Sequence, residues 1–115
     1  MFLLCQTEGK NMETKMILSQ DGQYAVRVTT THLIGESHPC TRAAVHPVKR
    51  RKNSPDDEED SISYIESYCI DIGRCKNEKD AFQKAVQIMA ERHVKLDMKN
   101  IIHDPPTIWH TGTLR

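Results

Sequence analysis

Six histidines and four cysteines hold most of the chemical potential of this 115-residue chain. His32, His38, Cys40 and His46 come closest to a metal set, with Cys69 and Cys75 as further thiolate donors, because borderline-soft zinc favours imidazole and thiolate. Their spacing argues the other way. Zinc motifs draw specificity from close ligand pairs, and the chain has neither a Cys-x-x-Cys nor a His-x-x-x-His. No metal and no cofactor is expected on this pattern, which reads as one strand histidine, two loop histidines and scattered buried thiols.

Nucleophilic catalysis needs a cysteine or serine beside a histidine that a carboxylate orients. All three residue types are here, yet no Gly-x-Ser-x-Gly elbow places a nucleophile, and Cys69 falls inside a strand pattern, where a thiol serves as a small apolar side chain. The five glycines form neither Gly-x-Gly-x-x-Gly nor Gly-x-x-x-x-Gly-Lys, so no phosphate cradle is readable. No catalytic residues are expected, with a thiol- or zinc-dependent enzyme as the minor alternative.

Lys49, Arg50, Arg51 and Lys52 are the one concentrated electrostatic feature, followed closely by Asp56, Asp57, Glu58, Glu59 and Asp60. Adjacent cations can engage phosphates or an acidic protein surface, while the acidic run competes for them. Together these two runs are the expected partner-binding segment. The aromatic residues that single-strand binders interleave with cations are dispersed along the chain.

Sixteen basic and sixteen acidic side chains cancel to a formal net charge of zero, which removes the global field of a non-specific nucleic-acid binder. A neutral chain is also less protected against self-association, so a homodimer or a standing partner suits it. No run approaches the roughly 18 apolar residues of a membrane span, and Met1-Phe2-Leu3-Leu4-Cys5 lacks the basic region and cleavage site of a signal peptide. A cytoplasmic location with reduced thiols is expected, with no membrane partner. Residues 1–11 read as a disordered, translated leader ahead of a second start at Met12, because Glu8-Gly9 can be encoded by a purine-rich run resembling a bacterial ribosome-binding site. A bacterial or phage gene would follow from that reading.

These features need a scaffold. From Thr14 the pattern has period two, and Asp21-Gly22 between two β-rich runs predicts a hairpin with a two-residue type I′ turn. That turn sets Ile17 opposite Val26 and Ser19 opposite Tyr24, with Met16, Leu18, Ala25 and Arg27 on the other face. The second strand runs to Leu33 or Ile34, where Gly35 ends it. Residues 35–60, poor in apolar side chains and holding Pro39, Pro47 and Pro55, read as a long mobile loop. Ser61–Ile72 resumes alternation as a third strand closed by Gly73.

Asn77 then caps an amphipathic helix running to about Val94, with Glu78 and Asp80 in its first turn and Phe82, Ala85, Val86, Met89 and His93 on the sheet-facing stripe. Beyond Leu96, Ile101 and Ile102 suit a short strand, Asp104-Pro105-Pro106 forces a turn, and Trp109 anchors the tail. The order strand, strand, strand, helix is similar in outline to small nucleic-acid-binding modules such as the double-stranded-RNA-binding domain. The basic cluster that family carries at its last helix is replaced here by Asn77-Glu78-Lys79-Asp80-Ala81, with two acids, so no site is carried over.

The expected fold is α+β: a three-stranded, mainly antiparallel sheet, extended at one edge by a fourth strand from the tail, with one helix on one face. Residues 12–115 form a single domain with the charged loop 35–60 outside it. The expected function is a non-enzymatic regulator that occludes a surface of another macromolecule, a protein being the first choice. A phage-encoded inhibitor of a bacterial complex is one version of this, and nucleic-acid binding through residues 49–52 is the alternative.

Overall fold

The computed structural model describes residues 10–33, 35, 38–54 and 57–110. These comprise β1 (Lys10–Leu18), β2 (Tyr24–Leu33), β3 (Cys40–Ser54), β4 (Asp57–Ile65), β5 (Ile70–Cys75), α1 (Glu78–Glu91), β6 (Ile102–His103) and β7 (Ile108–His110). Residues 1–9 of the expected leader lie outside the described residues, and its last two, Lys10 and Asn11, open β1. The class is α+β, but the three- or four-stranded sheet is overturned: seven antiparallel strands run in the order β6-β1-β2-β3-β4-β7, with β5 beside β3, as a curled half-barrel. Among the described residues no helix is long and apolar enough to cross a membrane.

The curl follows from the connections. β6 and β7 end the strand order on opposite sides, yet only residues 104–107 separate them. That link spans at most about 18 Å, whereas six strands laid flat would set the outer two about 24 Å apart. The link crosses the face that carries Thr14, Arg27 and Ile65, and this face is therefore the concave one.

The first hairpin pairs as alternation requires, Ile17 against Val26 and Leu18 against Ala25. Its turn is wider than type I′. The Ser19 N–H donates to the Tyr24 carbonyl at 2.8 Å, so residues 20–23 form the loop, and of these only Gly22, at φ 74°, is left-handed. The Gln23 N–H donates to Asp21 Oδ1 at 3.0 Å and to Ser19 Oγ at 3.1 Å, and these side-chain acceptors stabilise the turn without a second positive φ.

Residues 35–60 are the largest correction. Where a mobile loop was expected, residues 40–54 form the longest strand, at the centre of the sheet. Thr41, Ala43 and Val45 are buried on one face, and His46 is buried on the other. β3 escapes a local reading because it changes partners midway. Its first half lies between β2 and β5, whereas its second half pairs with β4 in a projecting arm, where exposed cations are tolerated.

Pro47 marks that change. Its carbonyl accepts the Glu66 N–H at 3.0 Å, so its hydrogen-less nitrogen faces the same edge and leaves the ladder one donor short there. The facing chain drops out of strand geometry at residues 66–69. The expected third strand is thereby divided into β4 and β5, and Gly73, at φ 81°, sits inside β5 rather than closing a strand. Ala43 faces Gly73 while Ala44 faces Asp71, which leaves Ile72 as the extra residue of a bulge.

Asn77 caps α1, its Oδ1 accepting the Asp80 N–H at 2.8 Å. The helix stops at Glu91, short of Val94, because His93 turns the chain with a left-handed φ of 60°. Ala81, Phe82, Ala85 and Met89 pack with Ile17, Val26, Val28 and Val45 on the convex face. Met16, Ala25 and Trp109 form a second cluster on the concave face, joined by Ile65 and Ile102, so the tail covers that face and Trp109 anchors it.

Candidate functional site

A groove of about 640 Å³ runs along the flank of α1 that the sheet leaves uncovered. Phe82 and Val86 line it from the helix, Lys15 from β1, and Met98 and Ile101 from the segment after the helix. That segment is held in place by backbone. The Asp97 N–H donates to the Leu18 carbonyl at 2.9 Å, and the Gln20 N–H to the Lys95 carbonyl at 2.8 Å, which brings residues 98–101 alongside the helix flank. The Asn100 amide also donates to Asp97 Oδ2 at 2.7 Å.

Phe82 is buried, but Val86, Met98 and Ile101 are 41%, 42% and 39% exposed, a concentration of wet apolar surface unlike singly scattered hydrophobics. Lys15 and Glu78 add a charged pair to the lining. Lys15 Nζ lies 2.8 Å from Glu78 Oε1, and the hydrogen bond to this carboxylate raises the Lys15 pKa above its ordinary 10.5. The lining contains no cysteine, serine or histidine. Sequence reasoning missed this site. Val86, expected on the sheet-facing stripe, is instead exposed along this groove, and Met98 and Ile101 lie in a stretch of weak sequence pattern. A smaller cavity of about 270 Å³ lies under the 104–107 link, bounded by Thr14, Arg27 and Ile65.

The sequence-predicted partner segment lies elsewhere, on the arm. Lys49, Arg50 and Arg51 are exposed on β3, and Lys52 continues the strand with its side chain outside the described residues. Asp56 lies outside the described residues, and Asp57, Glu58, Glu59 and Asp60 belong to β4, their side chains likewise not described. Strand geometry sends successive side chains to opposite faces, so the basic run is split between them. The backbone register sets Lys49 against Tyr64, Arg50 against Ser63, Arg51 against Ile62 and Lys52 against Ser61.

His32 and His38 are exposed, Cys40 is half-buried at the start of β3, and His46 is buried in its middle. Cys69 is exposed in the 66–69 interruption and Cys75 is buried at the end of β5. Burial pushes the Cys75 thiol up, away from the reactive thiolate. Among the described residues no three His, Cys, Asp or Glu side chains converge in a metal-holding group. Comparison with known protein families, curated proteins and solved structures returns no match.

Proposed function

We propose that this chain is a non-enzymatic binding protein whose groove between α1 and residues 98–101 seats an apolar-faced segment of another protein, occluding that partner's surface. The observation that carries this reading is the meeting of Val86, Met98 and Ile101, each more than a third exposed, over a Phe82 floor. A small-molecule site orients its ligand with a few convergent polar groups. Here the charged pair in the lining, Lys15 and Glu78, is already engaged with itself. Such a groove takes aliphatic side chains from a facing helix or strand, and the flexible thioether of Met98 adapts to their shape.

The test is affinity capture from the native host with the wild-type chain, with the Val86→Asp/Ile101→Asp variant and with a Lys49→Ala/Arg51→Ala variant. A stoichiometric protein retained by the wild type and the arm variant but lost from the groove variant supports the proposal. A second copy of this chain as the only occupant, seen as self-association abolished by the groove substitutions, replaces the partner with a homodimer. Equal capture by all three forms, or no stoichiometric protein, overturns the reading.

A further inference from the structure

Beyond Pro47 the sheet continues past its helix. α1 packs on β2, β3 and β5, so the face it covers ends where β4 and β7 begin. Val45 points at the helix, and strand alternation places Lys49 and Arg51 on that same face, further along β3. The register then adds the neighbours. Tyr64 pairs with Lys49 on one side and Ile108 on the other, while Ile62 pairs with Arg51. Ile108 is 62% exposed, and Lys49 and Arg51 are exposed beside the half-buried Tyr64 and Ile62. Arg50 goes to the opposite face, in the row of Ser63 and Trp109.

We infer that this outer face of the β3–β4–β7 arm binds single-stranded nucleic acid, with phosphates on Lys49 and Arg51 and bases against Tyr64 and Ile108. Charge complementarity selects a polyanion at one end of the face: the cross-strand rows of Lys49 and Arg51 contain no acid, whereas Asp60 and Glu58 hold the next positions of the same parity on β4 beyond Ile62, so the Lys49–Tyr64–Ile108 row is where a phosphate chain fits. The aromatic and aliphatic floor selects unstacked bases. A duplex offers phosphates but keeps its bases stacked, whereas a single strand presents ring faces to a sheet platform between flanking cations. This site lies on different strands from the protein-binding groove and stands independently of it.

Fluorescence anisotropy with labelled oligothymidylate and oligouridylate of equal length tests the inference and separates DNA from RNA. Binding should weaken steeply between about 50 and 200 mM salt. Lys49→Ala/Arg51→Ala should reduce the log–log salt slope by about 1.4, from two phosphate contacts at about 0.7 each. Tyr64→Leu should weaken binding about tenfold with the slope unchanged. Arg50→Ala, on the other face, should leave both affinity and slope as in the wild type. Circular dichroism confirms folding, and if Tyr64→Leu does not fold, the surface cation variants still decide. Undetectable binding of both oligonucleotides at low salt overturns the inference, as does an Arg50→Ala loss as large as that of Lys49→Ala/Arg51→Ala.

Discussion

His46 Nδ1 lies 2.9 Å from the carbonyl oxygen of Glu66, which joins β3 by a side chain to the chain that Pro47 pushes out of the ladder. The ring is only 4% exposed and stands edge-on to Tyr68, with centroids 6.4 Å apart. When Nδ1–H donates to the carbonyl, Nε2 is the unprotonated nitrogen, and it meets no hydrogen-bond partner among the described residues. Protonating Nε2 would therefore create a buried donor without an acceptor, on an imidazolium facing the Arg27 charge.

This geometry makes stability depend on pH. Burial, reinforced by Arg27 and opposed by the Glu66 carbonyl, holds the His46 pKa below its ordinary 6.5. The unfolded chain thus takes up this proton first as pH falls. The contribution is fully present above pH 6.5 and is lost as pH falls from there through the lower folded value. Urea midpoints should decline over this range in the wild type and flatten in His46→Gln. Parallel declines in both proteins would assign the effect to other groups.

Trp109 closes the concave face, and Trp109→Ala should cost about 3–5 kcal/mol, the usual range for deleting a buried large aromatic. Trp109→Phe keeps most of the apolar area and should recover more than half of that loss in urea titration. Because this is the only tryptophan, its native fluorescence should be blue-shifted and should move red together with the loss of far-ultraviolet ellipticity. A red transition well ahead of the ellipticity change would mean that β7 detaches before the sheet unfolds.

At the helix start, Asn77→Ala should cost about 1 kcal/mol, since the Asp80 N–H loses its acceptor. Asn77→Asp should restore most of it. Equal stabilities for the alanine and aspartate variants would show that the cap contributes nothing measurable.

Neighbouring helix positions separate binding from folding. Val86→Asp, at the exposed groove wall, should alter stability by no more than about 0.5 kcal/mol. Ala85→Asp places an unpaired charge in a fully buried position and should abolish the thermal unfolding transition. If Val86→Asp unfolds the protein as well, the groove wall is structural.

Local rules read part of this fold. The Ile17–Val26 register and the capping role of Asn77 were legible because each depends on residues a few positions apart. The turn at Gly22 was legible in place but not in type, since Ser19 and Asp21 side chains replaced the second left-handed residue. β3 was not legible. Its proline and its cations resemble a loop when read along the chain, and they become acceptable in a strand only where a partner ends or a face meets water.

The candidate sites divide in the same way. Lys49, Arg50 and Arg51 stood out by type, but their division between two faces required strand geometry and the register with Tyr64, Ser63 and Ile62. The groove was invisible, because Val86 meets Met98 and Ile101 only after backbone bonds to Leu18 and Gln20 have placed the segment that follows the helix.

By itself the sequence determined the elements that short-range energetics specify: the first hairpin, the helix and its cap, and an apolar tail with one aromatic anchor. Tertiary structure alone decided the number of strands, the curl and the position of the candidate surfaces. Periodicity reports which side of a segment is apolar, whereas strand identity depends on hydrogen-bond partners far away in the chain. For β3 those partners are β2, β4 and β5, and no local pattern encodes them.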